Sequence, residues 1–357
     1  MYSDTMNIDL IKQFLFKHGF TDISYYKPKY FTRRLATRMK KGKCTSYLEY
    51  YKKLKNDPEE INILRNSFSI NVTSFFRDTE TWDRFRVTLK DFLNKKKEQK
   101  LPSSINIWSA GCAIGAEPYS IAIMVHELLG SQLLTYEKNL KIYATDFNEE
   151  LLSVARKGIF EGEVMRFVPS DILIKFFDPF GLNKGTFKIK YIIRKYVEFS
   201  YLDLTLFKHW KQNLDAIVCR NVLIYFSKDL QEQIIHKFYN HLLPGGLLLL
   251  GGTEILHSAL RDSFEIISVK HKLYRKKIIN SAKIRKNEIL TKKEKKELYF
   301  NLKCSNCGVK FLRPIDLRIH ERKKNCGKIK FRCKICRKEF KTRTRLNIHS
   351  KYFHRPL

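Results

Sequence analysis

From residue 105 onward, short apolar runs alternate with segments of helical periodicity, and that alternation leaves few folds open. Strands are expected at 105–109, 141–145, 197–201, 215–219 and 247–251, with helices near 117–129, 148–157 and 228–243. Buried apolar strands separated by helices imply an α/β fold with a mainly parallel, doubly wound sheet, because parallel neighbours need long crossovers. The stretch "FEIISVKHKLYRKK" (264–277) reads as two strands joined by a short turn, which suits an antiparallel pair closing one sheet edge. Between 160 and 196 the rhythm breaks, and a helix followed by a small β insertion on top of the sheet is expected.

Residues 1–100 read as helical, with apolar faces in "NIDLIKQFLFKHGF" and "TSYLEYYKKLKND". Between them, "KPKYFTRRLATRMKKGK" (27–43) holds eight Lys/Arg and no acid. Tyr30, Phe31, Leu35 and Met39 share one helix face there, leaving Arg33, Arg34, Arg38 and Lys40 around the rest. That basic surface is either a solvated face or a dock for an acidic partner. The Lys-rich "NKKKEQKLPSS" (94–104), with Pro102, marks a domain boundary. The expected layout is a helical domain over 1–100, an α/β domain over 101–277, a basic linker over 278–300 and a tail over 301–357.

The chain's net charge of +33 is unevenly spread. Residues 275–357 hold 28 basic and 6 acidic residues, a net +22, so the rest of the chain carries +11. A tail this basic favours polyanions such as nucleic acid, acidic protein surfaces or anionic lipid, although a Lys-rich composition can also be a bias of the genome. The first residues, "MYSDTMNIDL", show no secretory signal, and "GLLLLGG" (246–252) is too short to span a bilayer. A cytoplasmic setting without membrane insertion is expected. Five cysteines cluster at 304–336 with metal-ligand spacing, while Cys44, Cys112 and Cys219 are scattered, which agrees with a reducing compartment.

Within the α/β part, "INIWSAGCAIGAEPYS" (105–120) is a strand, a turn bracketed by Gly111 and Gly115, and a helix start. Ligands of open α/β sheets bind outside the carboxyl ends of the strands, where strand order reverses. The spacing lacks the Gly-x-Gly-x-x-Gly of dinucleotide sites, and no Gly-rich loop ends in Lys-Ser/Thr to hold phosphates. Asp146 ends the second strand, in a place to accept from both ribose hydroxyls, though a helix N-cap reading fits it equally. Asp203 follows another strand, where its carboxylate could meet an adenine amino group, and Arg220-Asn221 follow the strand 215–219. Together these features favour S-adenosylmethionine over a phosphate-bearing nucleotide.

The segments "SFSINVTSFFRDTETW" (67–82), "IWSAGCAIGAEPYSIAI" (107–123), "ATDFNEELLSVARKGIF" (144–160), "CRNVLIYFSKDLQEQII" (219–235) and "LLPGGLLLLGGTE" (242–254) follow one another in an order that resembles CheR, the chemotaxis-type protein-glutamate methyltransferases. The resemblance covers about residues 8 to 276. It implies an N-terminal helical domain and a methyltransferase sheet with a small inserted β subdomain. It also implies that Asn71, Thr73 and Arg77 close over the methionyl end of the cofactor, that Glu117 holds its amino group and Asp146 its ribose. Asp203-Leu204 would line the adenine side, and Asn221-Val222 would floor the sulfonium with Tyr225 nearby. The family commonly has Asn where this chain has Asp203, so that contact is a departure.

The implied reaction is methyl transfer from a sulfonium to glutamate side chains on a receptor-like protein. A carboxylate with a pKa near ~4.3 is already ionised and needs no general base. It needs alignment, a dry site and an orienting cation, for which Arg77 is the candidate, with Tyr225 as a second donor. The basic surface of 33–43 would then lie along an acidic receptor helix. The competing class is a nucleic-acid methyltransferase. It is disfavoured because "CRNVLIYF" lacks the Asp/Asn-Pro-Pro signature and Cys219 sits in an apolar strand rather than after proline.

The tail holds two repeats, "CSNCGVKFLRPIDLRIHERKKNC" (304–326) and "CKICRKEFKTRTRLNIHSKYFH" (333–354), both following Cys-x2-Cys-x3-Phe-x5-Leu-x2-His. They match the ββα zinc finger, with Cys304, Cys307, His320 and Cys326 for one structural Zn2+ and Cys333, Cys336, His349 and His354 for the other. Phe311/Leu317 and Phe340/Leu346 supply the small cores, and metal supplies the rest of the stability. In the usual docking mode Arg313, Asp316, Ile319, Thr342, Arg345 and Ile348 would face bases. Two isoleucines read base edges poorly, so an acidic protein is as good a partner as nucleic acid. CheR-type enzymes do not ordinarily carry such a tail.

Overall fold

The β/α alternation folds as a seven-stranded sheet. The computed structural model describes residues 2–20, 23–69, 73–98, 104–136, 139–182, 185–207, 210–256, 258–278, 331–332 and 339–340. The helices α1 (Tyr2–Lys17), α2 (Pro28–Lys41), α3 (Tyr47–Asn56), α4 (Pro58–Asn66) and α5 (Thr79–Glu98) come first. There follow β1 (Ile105–Ala110), α6 (Ala116–Leu129), α7 (Leu133–Tyr136), β2 (Leu140–Asp146) and α8 (Glu149–Lys157). The insertion holds β3 (Ile159–Glu161), α9 (Ser170–Phe176), β4 (Phe177–Pro179), β5 (Thr186–Ile189) and α10 (Tyr191–Arg194). The sheet resumes with β6 (Val197–Tyr201), β7 (Leu214–Cys219), α11 (Lys228–His241), β8 (Leu242–Leu250), α12 (Ser258–Arg261), β9 (Phe264–Ser268) and β10 (Leu273–Lys276). A first compact unit spans Met1–Ile278 and a second Ile279–Leu357.

The strand order is β6-β2-β1-β7-β8-β10-β9. Pairings are parallel from β6 through β8, and β10 runs antiparallel between β8 and β9. The expected closing pair is present, with its second strand inside and its first at the edge. Strand order reverses between β1 and β7, so the loops after Ala110 and after Cys219 emerge side by side at the carboxyl edge.

Both faces of the sheet are covered. On one, Ile105, Ile107, Ile142 and Val218 pack with Phe85, Leu89 and Leu93 of α5 and with α6, which is apolar nearly all round because it lies between sheet, α5 and insertion. On the other, the fully buried Trp108 packs among Phe207, Ile217 and Phe238, and its indole N–H donates to Thr145 Oγ1 at 2.9 Å. At the edge away from the glycine turn, Lys96 Nζ donates to the fully buried Asp215 at 2.6 Å, and Asn106 N donates to the other carboxylate oxygen at 2.7 Å. That pair ties the end of α5 to β1 and β7.

The insertion is a three-stranded antiparallel sheet of order β3-β5-β4. Its first strand precedes helix α9, whereas a helix followed by strands was expected. Ile159–Glu161 is too short to show a period, and its strand character comes from Phe160 entering the core and from pairing with Thr186–Lys188.

In the N-terminal helices, Ile11, Leu15, Phe31, Leu35, Tyr50, Leu54 and Leu64 form one core. Arg38 does not join a free basic face: its guanidinium makes a two-pronged pair with the buried Glu60, at 2.9 and 2.6 Å, and Tyr50 donates to the same carboxylate at 2.7 Å. Lys29, Arg33, Lys40 and Lys41 are exposed.

In the second unit, Phe331–Arg332 pairs antiparallel with Glu339–Phe340. The expected ligands Cys304, Cys307, His320, Cys326, Cys333, Cys336, His349 and His354 lie outside the described residues. Among the described residues no group of three or more His, Cys, Asp or Glu could hold a metal ion, and no helix is long and apolar enough to cross a membrane.

Candidate active site

The loops that leave β1, β2, β6 and β7 meet the N-terminal helices around one cavity of ≈ 190 Å³. Of the sequence-derived residues, Thr73, Arg77, Gly111, Glu117, Asp146, Asp203, Leu204, Asn221, Val222 and Tyr225 all line it. Asn71 lies outside the described residues. Gly115 does not reach the cavity. It caps α6 with φ +93°, and a Cβ there would stand 3.0 Å from Ala155 and 3.2 Å from Phe199, so its smallness serves the packing of α6 against α8.

Gly111 opens the turn at φ +82°, with its N–H and that of Cys112 bonded to Thr145 O. A Cβ at Gly111 would stand 2.5 Å from Val222 Cγ2, so the absence of a side chain lets the β1 and β7 loops close on each other. Asp146 is not the N-cap of α8. Asn148 caps that helix through Glu150 N and Leu151 N, while Asp146 accepts from Ala113 N at 2.9 Å and from Asn148 N at 3.0 Å. Burial pushes the Asp146 carboxyl up, against those backbone bonds. The carboxylate therefore fixes the glycine turn against β2 and still faces the cavity. Asp203 accepts from Thr205 N at 2.8 Å and from its hydroxyl at 2.6 Å, a local turn that holds the wall beside Leu204.

Glu117 accepts from Ser109 Oγ at 2.7 Å. Burial pushes its carboxyl up to about 7, with Arg220 and Ser109 opposing and Glu254 reinforcing. Tyr225 stacks on Tyr30 with ring centres 4.7 Å apart, and Tyr26 meets Phe226 at 5.4 Å. Backbone bonds from Lys27 N to Tyr225 O and from Ser227 N to Tyr25 O close this junction between the helical region and the β7 loop. Cys219 is fully buried, and burial raises its thiol, as suits a core residue and not a nucleophile.

The structure adds residues that sequence reasoning left aside. Tyr26, Phe68, Ser69, Trp82 and Phe147 also line the cavity, as does Arg220, whose place just after an apolar strand was already noted. Glu254, 2 % exposed, accepts from Val222 N (2.9 Å), Leu223 N (2.7 Å) and Gly251 N (2.6 Å) and so shapes the turn after β7, where Asn221 is left-handed at φ +60°. The motif ending in "GGTE" held the signal for Glu254. Three buried donors of the lining, Ser69 Oγ, Trp82 Nε1 and Arg220 Nε, have no hydrogen-bond partner among the described residues.

Two family models match the chain: "CheR methyltransferase, SAM binding domain" over residues 71–273 and "CheR methyltransferase, all-alpha domain" over residues 6–69. The chain is similar to Chemotaxis protein methyltransferase 2 of Pseudomonas aeruginosa, with 34% identity over 62% of this chain and 76% of the relative. It is similar to the chemotaxis protein methyltransferase of Listeria monocytogenes at 32% identity, over 65% of this chain and 84% of the relative. The Escherichia coli chemotaxis protein methyltransferase is 29% identical over 68% of this chain and 82% of its own length.

Proposed function

The chain belongs to the CheR methyltransferase family, and from that premise we propose that it esterifies glutamate side chains of a chemoreceptor-like protein at the cavity between β1 and β7. It is an S-adenosylmethionine-dependent methyltransferase of chemotaxis. When bound, S-adenosylmethionine supplies a methyl group on a positively charged sulfur. The observation that carries the assignment of the site is the meeting of Glu117, Asp146, Asp203 and Arg77 on one cavity. The donor set fits the group: a carboxylate for an ammonium and a carboxylate for two ribose hydroxyls.

In this reading Glu117 holds the amino group, Asp146 the ribose, Asp203 and Leu204 the adenine side, and Asn221–Val222 the floor. Thr73, with Asn71 beside it in sequence, covers the methionyl end. Arg77 aims the acceptor carboxylate and Tyr225 donates a second hydrogen bond. None of these groups has to take a proton from a carboxylate that is already ionised, so their work is alignment and exclusion of water.

Glu117 gives the binding step a pH dependence. Below about 7 its carboxyl is neutral in the ligand-free protein, and a cationic amino group binds best to the ionised form. Affinity for S-adenosylmethionine should rise with pH up to about 7, with a proton released on binding. It should fall again above roughly 8, where an α-amino group loses its own proton. Calorimetric titrations from pH 5.5 to 9 in buffers of different ionisation enthalpy check this. A flat profile would remove Glu117 from the amino-group site.

The exposed Lys29, Arg33, Lys40 and Lys41 of α2 suit an acidic receptor helix. Reversing Lys29 and Arg33 to glutamate should raise KM for an acidic receptor fragment about tenfold and flatten its salt dependence, with S-adenosylmethionine affinity unchanged. Equal kinetics with the reversed pair would sink the docking role.

For the tail, the repeated Cys-x2-Cys…His spacing supports two structural Zn2+ sites, and the Phe331–Phe340 pairing lies where the second finger's hairpin would be. The fingers would dock an additional acidic protein or nucleic acid. Two zinc equivalents per full chain, released by chelator while residues 1–278 hold none, are expected; a zinc-free full chain would contradict the assignment.

A further inference from the structure

Arg220 lies where β7 ends, one residue before the floor at Asn221–Val222, and it is 8 % exposed. Its Nη1 donates to the backbone carbonyl of Arg77 at 2.9 Å, and its Nη2 donates to the Asp78 carboxylate. The guanidinium also lies over the Trp82 ring, 5.4 Å from its centre. The loop it grips is held in an unfavourable shape: Phe76 and Asp78 are left-handed at φ +49° and +61° without being glycine. Elsewhere that loop is tied through Phe75 N to Val164 O and Phe76 N to Ser120 Oγ, neither of which belongs to the floor. The floor in turn is fixed by Glu254.

We propose that Arg220 is a positioning residue that locks the Arg77 loop to the sulfonium floor, so that one planar guanidinium sets the distance between the acceptor-orienting cation and the methyl donor's seat. This rests on the reading of Arg77 given above. The planar fork is essential: two bonds diverging to successive residues hold the loop in both position and rotation, which a single ammonium does not. A displacement of the order of 1 Å in such a group costs about 100-fold in rate.

Lysine and methionine at this position separate geometry from charge. Arg220→Lys should lower kcat about 100-fold while KM for S-adenosylmethionine stays within about threefold of wild type. Arg220→Met should lose the same rate. It should also shift the pH midpoint of cofactor binding upward from about 7, because burial and Glu254 after β8 are then opposed, among the described residues, by Ser109 on β1. A merely structural arginine would change melting temperature and leave the lysine variant's pH midpoint and kcat together. Asp78→Asn, which tolerates the left-handed backbone, should slow the wild type yet add no further loss to Arg220→Lys.

Arg77→Ala is measured alongside. Slow Arg77→Ala with a wild-type rate for Arg220→Lys overturns the clamp alone. A wild-type rate for Arg77→Ala overturns the orienting role and the clamp with it. Multiplying losses in the Asp78→Asn/Arg220→Lys double variant also count against the clamp. The ligand-induced rise in melting temperature shows that each variant retains a folded cavity, so every rate is read on native protein.

Discussion

Gly111→Ala should lower affinity for S-adenosylmethionine about 100-fold, from two causes that add. At φ +82° an alanine costs roughly 1–2 kcal/mol, and its Cβ would be 2.5 Å from Val222 Cγ2. Val222 cannot retreat with its backbone, because its N–H and that of Leu223 are held by the buried Glu254. Its side chain would have to swing into the cavity it now floors. Adding Val222→Ala removes the contact but not the backbone strain, so the double variant should recover about half of the lost binding energy, a tenfold gain. Equilibrium binding of S-adenosylhomocysteine, the demethylated product, reads both numbers. Wild-type affinity in Gly111→Ala would mean that the two loops do not meet around the ligand.

Asp146→Ala should cost about 100-fold or more in the same assay. Two bonds to ribose hydroxyls from an ionised carboxylate contribute about 1.5–3 kcal/mol each. The same substitution removes the acceptor of Ala113 N and Asn148 N, which frees the glycine turn from β2. A buried N–H left without partner costs about 1–3 kcal/mol, so the ligand-free protein should also melt earlier. Asp146→Asn keeps one oxygen for one of those roles and should lose only about tenfold. If Asp146→Ala melts early but binds normally, the carboxylate is a loop brace and nothing more.

The parts of this protein that were legible in its sequence are those governed by local period. The five parallel strands, the closing pair and the glycine turn each carry their signal within a dozen residues. Most strand ends shifted by a residue or two, β8 begins five residues before its expected start, and the three-residue β3 escaped because no period fits in it. The cavity lining was legible through motif order, since ten of the residues so marked line one cavity. What stayed hidden depends on pairing across sequence. Arg220 reads as a polar residue after a strand until Asp78, 142 positions away, is seen beneath it. Glu254 acts through the N–H groups of a turn some 32 residues earlier. Arg38 reads as part of a basic face until Glu60 is found buried against it. That Asp146 is not the cap of the following helix shows only in Asn148, two positions on, which holds that cap.

The bond that this protein forms is read by one measurement. The protein is incubated with methyl-labelled S-adenosylmethionine and an acidic chemoreceptor fragment, and the labelled fragment is then treated with mild alkali. Glutamyl methyl esters release their label as volatile methanol, and with Arg77→Ala the amount released should fall about 100-fold. Label that stays on the fragment through alkali would contradict the account.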